Sequence, residues 1–176
     1  MIVIKQYDGL NIKELQLLGH GTQGKVYKID QQRCIKIFKK HRVFKDELKT
    51  LTMAQMDSHF PKIYSYGENY IIRECISGIE LDKYLSECRL TQNISSKIIE
   101  LYEALIKVGY RRLDSAIFHI FITQSGELKL IDTAKAMKKK TIYPYLIISG
   151  LEELGYKKQF LDFVKISRPD IYNKWY

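Results

Sequence analysis

Three glycines at fixed offsets mark the first place where this chain could do chemistry: Gly19-His20-Gly21-Thr22-Gln23-Gly24-Lys25-Val26 is a GxGxxGxV pattern between two strand-like runs. Lacking a Cβ, glycine lets main-chain N–H groups approach phosphate oxygens, and the same freedom suits a plain hairpin turn. A dinucleotide-binding βαβ unit needs a helix directly after the third glycine, whereas residues 25–29 read as strand, so that alternative drops out. Further on, Cys34-Ile35-Lys36-Ile37 sets one lysine among apolar strand positions, and by the two-residue period Lys36 shares a side with Cys34 and Phe38. Such a lysine either snorkels from an edge strand to water or meets a buried acid. Glu47, with Leu48 and Leu51 beside it, is the acid in position; the plain alternative is an exposed helix glutamate. Asp114 and Asp132 are two more candidate acids, and each is also of a type that caps a turn or closes a strand.

Positioning these side chains requires a scaffold, and the hydrophobic pattern supplies one. From Leu15 to about Cys75, short runs rich in Ile, Val and Tyr alternate with Gly and polar turns. One helix interrupts them, over about residues 42–56, where Phe44, Leu48, Leu51 and Met56 recur near helical spacing ahead of Pro61. The strands are the pair around the glycine-rich turn, residues 34–38, and residues 62–66 and 70–74 joined by the turn Gly67-Glu68-Asn69. After Gly78 the period changes to helical: a short helix around Leu81, Tyr84 and Leu85, then a longer one through Ile94, Ile98, Leu101, Leu105 and Val108 that stops at Gly109. Two short strands, near 120–123 and 128–131, flank Gln124-Ser125-Gly126, and two or three short helices follow from about Ile142. The shift near Gly78 is the expected lobe boundary, with residues 74–78 as hinge.

Composition narrows the class. A chain of 176 residues, 45% apolar and 28% charged, with 3 Pro and 10 Gly, is that of a folded domain and excludes disorder as its main state. No apolar run reaches the roughly 18 residues of a membrane span, and the opening apolar stretch is too short for a signal peptide, so a cytoplasmic protein is expected. Cys34, Cys75 and Cys88 have neither CxxC spacing nor a nearby His pair, and read as reduced thiols. The net charge of +9 favours anionic partners, with the excess mostly scattered as surface Lys and dense only at Lys138 to Lys140.

In this order, over Leu15 to about Ala134, the motifs resemble those of the eukaryotic-type serine/threonine protein kinases, in the form of a small bacterial-type member with a truncated C-lobe. The resemblance implies an α+β, protein-kinase-like fold: one domain over 1–176, a five-stranded antiparallel N-lobe sheet with one helix over about 1–74, a hinge at 74–78, and a reduced, mostly helical C-lobe over 79–176. It implies that the turn at Gly19, Gly21 and Gly24 covers ATP phosphates and that Lys36 holds them while paired with Glu47. Glu74 and Ile76 would bind adenine through their backbone, Val26, Cys34 and Phe121 would sandwich the ring, and Glu80 would reach the ribose. Asp114 takes the place of the catalytic aspartate and Asp132 that of the Mg²⁺-binding one, eighteen positions later.

The pattern also departs from the family. Arg112-Leu113-Asp114 stands for His-Arg-Asp, Thr133-Ala134 for the Phe-Gly after the metal aspartate, and His119 for the usual Asn. Imidazole is a poor ligand for a hard ion such as Mg²⁺, so His119 reads either as a weakened metal site or as a half-buried histidine bonded to backbone. Arg73 occupies a usually apolar place behind the adenine, and the 44 residues after Asp132 leave no room for an activation loop or a peptide-docking platform. The expectation is an ATP- and Mg²⁺- (or Mn²⁺-) dependent phosphotransferase, a serine/threonine kinase with an atypical, weak site acting on a protein or small-molecule hydroxyl. The alternative is a pseudokinase serving as a nucleotide-binding regulatory or scaffold module. A basic nucleic-acid binder is a third class, disfavoured because no recognition module accompanies the charge.

Overall fold

The computed structural model describes residues 7–176. Residues 1–6, which carry the apolar opening weighed above as a signal peptide, lie outside the described residues. In the first half, β1 (Gln16–His20) and β2 (Gly24–Lys28) flank the glycine-rich turn, followed by β3 (Arg33–Phe38), α1 (His41–Met53), β4 (Ile63–Gly67) and β5 (Tyr70–Glu74). They form one antiparallel sheet in the order β1-β2-β3-β5-β4. Pairing with β3 on one side and β4 on the other places β5 inside the sheet, and its Tyr70, Ile71, Ile72 and Arg73 are all buried because both faces are covered. On one face α1 brings Phe44 and Leu51 against Phe38 and Ile71; on the other, Ile35, Tyr70 and Ile72 meet Tyr7, Leu10, Leu15 and Tyr27.

Helix α1 buries Phe44, Glu47, Thr50 and Leu51, a stripe at helical spacing that includes two polar side chains. It ends at Met53 rather than Met56: Ala54 leaves the helical region at φ −97°, ψ 3°, and Met56 is 97% exposed, so the apolar stripe stops a turn earlier than its sequence spacing suggests.

The second half begins with β6 (Gly78–Glu80), then α2 (Leu81–Glu87), α3 (Gln92–Lys107), β7 (Ile120–Thr123), β8 (Leu128–Leu130), α4 (Tyr145–Glu153), α5 (Lys157–Ser167) and α6 (Pro169–Trp175). Strands β6, β7 and β8 make a small antiparallel sheet. The sequence pattern does not reveal β6, because three residues are too few to show alternation. Helix α3 is capped by the Thr91 hydroxyl, which accepts from the Ile94 N–H at 3.2 Å, and Gly109 closes it at φ +80°. Its buried face, with Leu101, Tyr102 and Leu105, joins Phe44 and Leu51 of the first half and Phe160 and Trp175 of the last helices in one apolar core. Among the described residues no helix is long and apolar enough to cross a membrane.

The three glycines of the turn are not equivalent. A Cβ on Gly24 would collide with the carbonyl oxygen of Ile37, whereas one on Gly19 or Gly21 would meet only open space. Gly24→Ala should therefore cost about 1–3 kcal/mol in urea unfolding, and Gly21→Ala about 0.5 kcal/mol or less. Equal unfolding midpoints for the two variants would contradict this packing.

Candidate functional site

Lys36 rises from the middle of β3 into the interior, 7% exposed, and its Nζ lies 2.5 Å from Oε2 of a fully buried Glu47. Of the two sequence readings for this lysine, the meeting with a buried acid is the one the structure contains. Arg73 of β5 joins them: its Nη1 stands 3.9 Å from Glu47 Oε1 and donates to the Ile131 carbonyl at 2.5 Å. Burial holds the Glu47 carboxyl above its ordinary range, and Lys36 and Arg73 offset that only in part. Arg73 thus ties the first sheet to the segment that delivers Asp132.

Asp132 follows β8 at the mouth of a cleft. Its Oδ1 accepts from the Ala134 N–H at 3.2 Å, and its Oδ2 accepts from Gln23 Nε2 at 2.9 Å. The next residue, Thr133, fixes this corner from behind: its hydroxyl lies 2.8 Å from that of Thr50, one turn along α1 from Glu47. The Tyr110 hydroxyl donates to the Thr50 carbonyl at 2.8 Å. A buried hydroxyl pair therefore stands where the resembling family has a phenylalanine. The glycine-rich turn is pinned as well, since Gly21 N–H donates to Gly24 O at 2.9 Å and Lys39 reaches back to the carbonyls of Gln23 and Gly21.

Two adjoining cavities of about 480 and 450 Å³ lie between the sheet and the second half, sharing Gly19, Val26, Arg73 and Ile131. The first is walled by Val26, Cys34, Glu74, Ile76, Glu80 and Phe121, so every residue expected around an adenosine borders it. The second is bordered by Gly19, Gly21, Gly24, Lys36, His119 and Asp132. Glu80 is held by Lys83, a turn along α2, and the Glu74 carboxylate by Lys129 at 2.7 Å. All three cysteines are free. The Cys34 thiol donates to the Glu74 carbonyl at 3.6 Å, and the mutual influence of the neighbouring thiols draws Cys75 down to about 7 and pushes Cys34 upward.

Asp114 and His119 are less available than their sequence positions suggest. A third cavity of about 310 Å³ is bordered by Asp114, His119 and Asp132. Yet the Asp114 side chain is only 3% exposed, because Oδ1 accepts from the N–H groups of Leu146 and Ile147 at 2.9 and 3.4 Å, in the first turn of α4. It serves as a cap for a helix 32 positions away. Burial raises its carboxyl above the ordinary carboxylate range despite those bonds and the nearby Arg112. His119 is bonded through its main chain, donating to Ala116 O and accepting from Ile131 N–H, and its ring packs edge-on against Phe118. Burial lowers the imidazole pKa, and Asp132 partly restores it. Among the described residues no three His, Cys, Asp or Glu side chains gather into a metal cluster; Asp132 is the hard oxygen donor at the cleft.

Gln23, Thr50, Arg73 and Thr133 hold this site together; in the sequence Arg73 and Thr133 stand out as departures from the family pattern, and Thr50 only by its position three residues from Glu47 on one helical face. No family model matches the sequence. No curated protein matches it. Solved structures do: the kinase domain of PknI from Mycobacterium tuberculosis superposes with a TM-score of 0.55 at 15% identity, over 74% of this chain and 64% of that one. A mutant of the same domain gives 0.56 at 15% identity, over 88% and 80%. The chain therefore has a protein-kinase-like fold, α+β, and spans just under two thirds of the first of these domains.

If Asp114 is chiefly a cap, Asp114→Ala should lose about 1–2 kcal/mol of stability while Asp114→Asn, which keeps an acceptor oxygen, should melt at or above wild type at neutral pH. With the folded pKa raised, the native state holds the proton more tightly, so wild type loses stability against Asp114→Asn as pH rises from about 3 to 7. A difference that stays flat over that range would contradict the burial argument.

Proposed function

We propose that the cleft binds ATP with a divalent cation and that the protein transfers the terminal phosphoryl group to a hydroxyl, on protein serine or threonine. The observation that carries this reading is the buried Lys36–Glu47 pair facing Asp132 beneath the glycine-rich turn. Desolvating two ions costs several kcal/mol each, and apolar residues of similar volume would join β3 to α1 at least as well. A cation kept there at that cost suits an anionic ligand. The residues from 7 to about 74 act as one lobe, those from about 79 onward as the other, with 74–78 between them. Adenine would lie among Val26, Cys34 and Phe121 against the Glu74 and Ile76 backbone, with the ribose near Glu80. A cavity of about 480 Å³ is of the size of known small-molecule sites. The open space over Gly19 and Gly21 would take phosphates, held by Lys36.

Asp132 would hold one hard cation, and Mg²⁺ there would neutralise charge on the transferring group. Asp114 would orient the acceptor hydroxyl, which requires its carboxylate to be drawn from α4 toward the third cavity. Positioning supplies most of the catalysis in this reaction class, so slow turnover is compatible with such a site.

A second reading rests on that same carboxylate. With Asp114 committed to α4, the cleft would serve as a nucleotide-binding regulatory or scaffold module rather than a catalyst.

Titration with ATP, with and without Mg²⁺, should show saturable binding that weakens at least tenfold in Lys36→Ala; undiminished affinity in the variant would contradict the phosphate assignment. Labelled γ-phosphate should appear on the protein itself or on a mixed protein pool and vanish in Asp114→Asn. Binding without any transfer by wild type would favour the module.

A further inference from the structure

Gln23, at the tip of the glycine-rich turn, is not accounted for by phosphate binding through the backbone. We propose that it is the second protein ligand of the divalent cation, its amide oxygen standing in for the one that His119 lacks; this rests on the nucleotide–metal reading above. Its Nε2 donates to Asp132 Oδ2 at 2.9 Å, while its Oε1 is buried without a partner. An unpaired buried acceptor costs about 1–3 kcal/mol, so this arrangement leaves the amide half used. Turning the amide over about its last torsion places the oxygen where the nitrogen now stands, 2.9 Å from Oδ2. Two oxygens so close repel unless a cation lies between them. Neighbouring oxygens on an octahedral Mg²⁺, with bonds of about 2.0–2.1 Å, are about 2.9–3.0 Å apart. The Gln23–Asp132 separation is therefore already that of one edge of a Mg²⁺ coordination shell.

The amide is also aimed. The Gln23 carbonyl is bonded to the Lys39 N–H at 2.9 Å, and Gly24 is packed against Ile37, so the backbone that follows the side chain is fixed to the end of the strand that carries Lys36. A hard cation prefers amide and carboxylate oxygens to imidazole nitrogen, and beside Asp132 the oxygen comes from Gln23 rather than from His119. The turn that covers the phosphates and the acid that faces them would then close on the metal together.

The test is electron paramagnetic resonance titration of the full chain with Mn²⁺ in the presence of a non-hydrolysable ATP analogue. Gln23→Ala should weaken Mn²⁺ binding about tenfold or more. Gln23→Glu should retain or strengthen Mn²⁺ binding, because a carboxylate is a good oxygen ligand. A residue that only hydrogen-bonds Asp132 would behave in the opposite way, since Glu at 23 would repel Asp132 and lose as much as Ala. Wild-type affinity in Gln23→Ala, or equal losses in Ala and Glu, overturns the assignment. Where Asp132→Asn loses Mn²⁺ and Gln23→Ala does not, only this inference falls; where wild type binds no metal–nucleotide at all, the proposed function falls with it.

Discussion

A lysine ammonium and a fully buried glutamate carboxylate, 2.5 Å apart at the wall of the cleft, set the terms for the rest of this fold. Neither charge is tolerable alone in that place, since removing one partner of a buried pair typically costs about 3–5 kcal/mol. The requirement reaches outward. Helix α1 must lie across the sheet in the register that buries Glu47, and β3 must turn Lys36 inward. The second cation, Arg73, must find another acceptor, which it does at the Ile131 carbonyl. The charge cluster is thereby linked to the strand end that presents Asp132.

Hydroxyl groups do the complementary work one turn further along the same face of the helix. Thr50 and Thr133 meet in the interior, and Tyr110 bonds to the same turn of α1, so the helix that carries the glutamate is fastened to the residues just after Asp132. The two hydroxyls, 2.8 Å apart and buried, hold this corner together. The lower half of the cleft is built with similar economy. Asp114 gives its oxygen to the start of α4, and the segment around Arg112 pairs with Thr141. The short stretch after Asp132 is thus used as structure.

Much of the sheet was legible in the sequence because its signals are local. Alternation in β3 shows on which side Lys36 falls and glycine marks the turn, whereas helical spacing left Glu47 open between a buried acid and an exposed one, and the packing of α1 buries it. The end of α1 was less legible, since Met56 continues the apolar spacing but lies beyond the point where the backbone leaves the helix. What escaped the sequence is long-range. Gln23 and Asp132 are 109 positions apart, Arg73 and the Ile131 carbonyl 58, and Asp114 and Leu146 32. No periodicity encodes such contacts, because each depends on how two separately formed pieces settle against one another. The short strand β6 was hidden for the opposite reason, being too brief to carry a pattern. At 15% identity the structural likeness to the PknI kinase domain speaks to the fold, and the chemistry rests on the side chains themselves.

The most direct measurement of the central claim is a crystal structure of the chain with a non-hydrolysable ATP analogue and Mn²⁺, the ion located by its anomalous signal. The account predicts the purine between Val26, Cys34 and Phe121, a phosphate oxygen within hydrogen-bond distance of Lys36 Nζ, and the ion on Asp132. An analogue at saturating concentration that leaves the cleft empty, or binds elsewhere while Lys36 touches only Glu47, would contradict it.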